Sequence, residues 1–211
     1  MSLKDRFPFT RERFGLTLAV LALALMWLFL WMFAAVAVTG DLSSLRRVAV
    51  PLGPFSAEIA AGLLSLWAGL IGSCLLAPLF EETTFRWLWC SLGYDSAGKP
   101  RGDWSLPLVI VMPGIIFALG HGFRYGFGYL LVLQLAPLGL VLAWLWIALM
   151  RRGAGRLEAL LSCAFVHGAY NFAVTAITET VTQALLAGYE VGKAACNEEC
   201  AETILKLIGG Q

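Results

Sequence analysis

The sequence predicts an all-α protein, a polytopic integral membrane helical bundle of about five spans plus interfacial segments. Composition is the first sign: of 211 residues, 59% are hydrophobic and only 14% charged, with a mean hydropathy of +0.78. Soluble domains use roughly 45–50% apolar residues. The second sign is the spacing of long apolar runs, each near the ~20 residues that a bilayer-crossing helix needs. Polar loops rich in Gly, Pro and charge separate them. Together these fit one membrane domain over residues 1–211, ending in a polar, amphipathic tail at 188–211. Charge is sparse and nearly balanced, at net +1, which argues against nucleic acid as a partner, because phosphate binding needs a dense basic face.

The first span covers about Phe14 to Val38. Lys4, Arg6, Arg11 and Arg13 precede it, and Ala35-Val36-Ala37 resembles a signal cleavage site. The apolar run far exceeds the ~7–15 residues of a signal h-region, so an uncleaved anchor is expected. Thr39 to Ser56 reads as a loop, with Gly40-Asp41 and Pro51 and Pro54 as breakers. The second span begins near Ala57 and continues to about Leu92. Gly93 to Ser105 is a polar loop carrying Asp95, Lys99, Pro100, Arg101 and Asp103. The third span runs about Leu106 to Arg124, with a kink expected at Pro113-Gly114. The fourth covers about Tyr129 to Met150, with Pro137 inside it. Arg151, Arg152 and Arg156 mark the next turn, and the fifth span runs about Leu157 to Ala187. Beyond it, Ile204, Leu205, Leu207 and Ile208 form a weak interfacial stripe.

Lys and Arg in the short loops set the expected orientation. With the N-terminus inside, nine basic residues lie on the cytoplasmic side and five opposite, leaving out Arg86 within a span. The N-terminus is therefore expected to be cytoplasmic. Cys74, Cys90 and Cys163 lie in apolar segments and read as small buried hydrophobes. Cys196 and Cys200 lie in the polar tail, where an oxidising compartment would permit pairing.

Against this background a few ionisable side chains stand out. Glu81 and Glu82 are adjacent in the second span, with Arg86 four residues past the second. The chain's two histidines, His121 and His167, lie in the third and fifth spans. Such groups cost several kcal/mol each at membrane depth, so they mark function or pairing. Counted from the cytoplasmic ends of their spans at ~1.5 Å per residue, Glu81, His121 and His167 lie ~20, ~25 and ~17 Å deep. They reach similar depth from one side. Glu82 and Arg86 share a helix face and are expected to pair. His167 and Asn171 share a face as well, aiming two donors at one spot.

These residues form three patterns. Glu81-Glu82-Thr83-Thr84-Phe85-Arg86 reads as EExxxR, Phe117-Ala118-Leu119-Gly120-His121 as FxxxH, and His167-Gly168-Ala169-Tyr170-Asn171 as HxxxN. Any one is unspecific. In this order on successive apolar segments, they resemble the CAAX protease and bacteriocin-processing family (the CPBP or Abi family), intramembrane glutamate endopeptidases that include the Ras-converting CAAX endopeptidase. The resemblance covers about Leu75 to Ala173, and the family-like catalytic core would occupy about 57–187. The resemblance implies that Glu81 activates a water, that His121 holds that water and shuttles its proton, and that His167 and Asn171 stabilise the oxyanion. Glu82 and Arg86 would support Glu81. It also implies a membrane-tethered peptide or protein substrate in the lipid bilayer, and the plasma (inner) membrane of a prokaryote. The substrate is a prenylated CAAX tail or a peptide precursor or sorting tag; the chain's compactness leans toward the second.

Other readings of the same residues remain open at this stage. Cys163 lies four before His167, as in a Cys–His dyad. Glu81, His121 and His167 are ligand types that suit zinc, although no HExxH-type pair is present; the expectation is no metal and no cofactor. A non-catalytic binding or bacteriocin-immunity protein would use the same pocket without chemistry. A transporter is disfavoured by the lack of an internal repeat.

Overall fold

The computed structural model describes residues 10–39, 69–95, 99–101, 106–125 and 129–195. Five helices account for nearly all of them: α1 (Arg11–Thr39), α2 (residues 69–93), α3 (Leu106–Tyr125), α4 (Tyr129–Arg151) and α5 (Arg156–Ala195). Stretches long and apolar enough to cross a bilayer are Arg11–Val38, Val132–Arg151 and Arg156–Ile177, with a shorter apolar helix at Leu108–His121. The architecture is thus an all-α polytopic membrane bundle. The expected start of the second span at Ala57, most of the Thr39–Ser56 loop, Cys196, Cys200 and the stripe from Ile204 lie outside the described residues.

Because lipid tails are as apolar as leucine, these helices associate through close packing and polar contacts rather than through water exclusion. On α1, Thr17, Val20, Ala24, Leu28 and Met32 form a buried stripe at helical spacing, while Phe14, Leu18, Met26, Phe29, Leu30 and Phe33 face outward. The helix is apolar all round, so its sequence alone does not mark the inner face. Trp27 helps fix the rotation, its Nε1 donating to the Gln134 carbonyl on α4 at 3.0 Å. Gln134 Nε2 in turn donates to Tyr170 Oη on α5 at 3.0 Å, so one polar chain crosses three helices.

α3 and α4 run through Pro113 and Pro137 and meet in backbone contact. A Cβ at Gly114 would lie 2.9 Å from the Leu140 nitrogen, and one at Gly139 would lie 2.8 Å from the Gly114 Cα. Any larger residue would wedge these helices apart. The Gly93 loop is tight: Arg101 N donates to Gly93 O at 2.8 Å and Asp95 N to Lys99 O at 2.9 Å. Between α4 and α5, Gly153 takes the left-handed conformation (φ 75°) that the sharp reversal needs.

The α5 helix continues to Ala195, but its stretch apolar enough to cross a bilayer ends at Ile177, short of the expected Ala187. A second departure concerns Arg13, counted above only as a topology-setting charge. It is buried: its Nε lies 3.0 Å from Glu158 Oε1 at the start of α5, and its Nη1 donates to the Arg152 carbonyl at 3.2 Å. Arg152 also reaches Glu12 at 3.1 Å, clamping the start of α1 to the α4–α5 turn.

Removing one member of such a pair leaves an uncompensated charge. Arg13→Met should lower stability by about 3 kcal/mol. Arg13→Met with Glu158→Leu should recover much of that loss, as read by thermal unfolding in detergent micelles.

Candidate active site

α2 is not a regular helix. Glu81 and Glu82 end a six-residue α segment, Ala77–Glu82, between two π-helical stretches, Gly72–Leu76 and Thr83–Leu88. Widened turns of this kind occur often at functional sites. Where the backbone widens, Thr83 Oγ1 donates to Leu79 O at 2.7 Å and Thr84 Oγ1 to Phe80 O at 3.1 Å. Adjacent helical residues point about 100° apart, so the two glutamates cannot share a direction.

Glu82 points into the bundle and is fully buried with Arg86. Its Oε2 lies 3.1 Å from Arg86 Nε, one turn later. Its Oε1 lies 2.9 Å from His167 Nδ1 on α5. Both oxygens are thus engaged: the expected pairing with Arg86 forms, and Glu82 also holds His167, a contact that the sequence does not predict. The rest of the guanidinium sits over the Phe117 ring, with Cζ 5.6 Å from the centroid.

Glu81 points the other way, toward α3, and keeps 17% of its side chain exposed. Its Oε2 lies 3.5 Å from His121 Nε2 and 3.7 Å from His167 Nε2. Three separate helices therefore bring one carboxylate and two imidazoles to a single spot. That oxygen is buried, yet it makes no hydrogen bond within the described structure.

The imidazoles are oriented from behind. His121 Nδ1 lies 2.9 Å from the Phe117 carbonyl, which can only accept, so this nitrogen carries a proton. His167 Nδ1 faces the Glu82 carboxylate in the same relation. Each ring thus presents Nε2 to Glu81. The Phe117 ring fills the space between them, with centroids 4.5 Å from His121, 5.3 Å from His167 and 5.6 Å from Phe85.

Asn171 reaches a different partner. Its Nδ2 donates to the backbone carbonyl of Ser73 in the first π stretch at 2.9 Å. Cys163 is fully buried and its thiol is directed at the Leu142 carbonyl on α4, 3.5 Å away. Among the described residues, no group of three or more His, Cys, Asp or Glu is placed to hold a metal ion. Residues that sequence reasoning left out of the site are Ser73, whose part is played by its backbone, and Gly168, which lets α5 approach that backbone. Phe117 was legible as a motif member, though not as the ring between the histidines.

The sequence pattern of the family described as type II CAAX prenyl endopeptidase Rce1-like matches residues 63–173, just over half of the chain. The chain belongs to this family. The match begins before Leu75, where the resemblance was expected to start, and takes in Glu81, Glu82, Arg86, His121, His167 and Asn171. Comparison with curated proteins and with solved structures gives no match. As an Rce1-like chain it is an integral membrane protein of a CAAX-type intramembrane endopeptidase family, and its converging polar groups lie within the matched segment.

Glu82→Leu should lower thermal stability by about 3 kcal/mol, because Arg86 would be left buried and unpaired. Adding Arg86→Leu should restore most of it. Restored stability without restored activity would separate the charge balance of the pair from its hold on His167.

Proposed function

We propose that this protein is a glutamate intramembrane endopeptidase in which Glu81, with His121, activates a water molecule for attack on a peptide bond. The observation that carries this reading is the Glu81 Oε2 atom, buried without a hydrogen bond, 3.5 Å and 3.7 Å from two imidazole nitrogens. Those separations are too long for strong direct bonds and suit groups bridged through a shared small donor. Glu81 and His121 are also the more exposed members of the cluster, at 17% and 14%, so solvent reaches them rather than Glu82.

In the proposed reaction, Glu81 takes one proton of the water while the Nε2 of His121 accepts the other hydrogen bond and fixes the oxygen's direction. The water oxygen bonds to the substrate carbonyl carbon, and the carbonyl oxygen becomes the oxyanion. His167, held at Nδ1 by Glu82, turns its Nε2 toward that oxyanion. The second N–H of Asn171 adds a donor, and such donors count most where water is scarce. The proton held by Glu81 passes to the leaving nitrogen as the C–N bond breaks. The products are a carboxylic acid and an amine, which exchange the remaining water proton to leave as carboxylate and ammonium.

The substrate class follows from family and location: a membrane-associated chain cut near its anchor. Family membership supports a CAAX-type C-terminal tail, and the compactness of the chain keeps a peptide precursor or sorting tag as the second candidate. A binding protein needs no base, water-holding imidazole and oxyanion donor together, and this disfavours the non-catalytic reading.

Substrate trapping tests the proposal. Membrane peptides from cells carrying Glu81→Gln should show accumulated precursors that wild-type cells lack. The purified wild-type protein should cleave those precursors at least about 100-fold faster than the variant. Cys163→Ala and a chelator titration should each leave the rate within about twofold, whereas loss on chelation would favour a zinc hydrolase. No accumulated precursor, or full activity of Glu81→Gln, would overturn the glutamate mechanism.

A further inference from the structure

The first π stretch of α2 ends against a proline, and this leaves a backbone carbonyl to be satisfied from elsewhere. In this stretch the Ala77 amide donates to Gly72 O, five residues back. The next carbonyl in that register, Ser73, would take its bond from residue 78. That residue is Pro78, buried and without an N–H. A carbonyl deprived of its donor inside a membrane bundle costs several kcal/mol if left alone. It is not left alone, because Asn171 Nδ2 donates to it from α5 at 2.9 Å.

The approach that permits this bond is itself unusual. A Cβ on Gly168, one turn before Asn171, would collide with the Cys74 carbonyl oxygen, the next acceptor along α2. His167 immediately precedes Gly168, one turn before Asn171, and carries the Nδ1 bond to Glu82.

We infer that Asn171 is a positioning residue whose carboxamide replaces the N–H missing at Pro78, and that with Gly168 it fixes the register of α5 against α2. The lock holds His167 opposite Glu81 and Glu82. This deepens the catalytic reading by giving Asn171 a duty beyond oxyanion binding, yet the lock itself is a property of the fold and can be tested without turnover. Pro78 and Asn171 are then energetically coupled although they lie on different helices.

A double-mutant cycle read by thermal unfolding tests the coupling. Asn171→Asp keeps the shape and loses the donor, and it should lower the unfolding midpoint by about 2–8 °C. In the Pro78→Ala background, where residue 78 regains an N–H for Ser73, the same substitution should cost less than half as much. Equal losses in both backgrounds would overturn the inference. If a variant fails to fold, the unaltered protein provides a second readout. Its two asparagines are Asn171 and Asn197, so selective 15N labelling gives only two side-chain amide pairs. One Asn171 proton should exchange at least about tenfold more slowly than the side-chain amide of free asparagine at the same pH. Equal exchange rates would refute the lock. Activity then separates the two duties of Asn171: cleavage lost in the Pro78→Ala, Asn171→Asp protein despite recovered stability assigns it the oxyanion role as well. Stability that recovers together with cleavage leaves it with positioning alone. Both outcomes support the lock.

Discussion

A carboxylate buried among apolar helices must find its partners inside the protein, and Glu82 finds two. Arg86, 3.1 Å away on the same helix, balances its charge, and His167, 2.9 Å away on α5, uses its other oxygen. Neither contact would suffice alone. An isolated Glu82–Arg86 pair would be a costly ornament of α2, since a buried ion pair seldom repays its own desolvation. Coupled to His167, the same pair joins two helices and fixes which imidazole nitrogen faces the site. The direction of Glu81 follows, because its neighbour's commitment to the interior turns it toward α3.

The rest of the bundle serves this geometry through contacts suited to a bilayer. Small residues let backbones touch where side chains must meet across helices, as Gly114 and Gly139 do between α3 and α4 and Gly168 does between α5 and α2. Phe117 then fills the space common to Arg86, His121 and His167, and its carbonyl orients His121. One aromatic residue thus packs the site through its ring and sets a tautomer through its backbone. Polar contacts hold the ends: the Arg13–Glu158 pair fixes α1 to α5 far from the chemistry.

Much of this was legible from residues alone. Apolar runs of spanning length imply a helical membrane bundle whatever its packing, and ionisable groups within them are too costly to be incidental. Matched depth along three spans was enough to suggest that Glu81, His121 and His167 meet. What the sequence hides is mostly backbone. Nothing in the side chains from Gly72 to Leu76 announces a π stretch, although Pro78 announces a missing donor once the register is known. The choice of Glu82 for His167 over Glu81 was equally hidden, because it depends on the rotation of α2. The pairing of Arg13 was hidden for a different reason: a basic residue beside a first span ordinarily signals orientation, and its partner Glu158 lies 145 positions later in the sequence. The inner face of α1 could not be read, since an evenly apolar helix carries no stripe.

The proposed reaction requires Glu81 and His121, on separate helices, to hold a single solvent molecule against a peptide bond while His167 faces the oxyanion. Its most direct test is a crystallographic map of the protein grown from a lipidic mesophase, at a resolution that shows ordered water. A water peak is expected within hydrogen-bonding distance of both Glu81 Oε2 and His121 Nε2. A direct, dry Glu81–His121 contact would contradict it, as would side chains turned out toward the lipid.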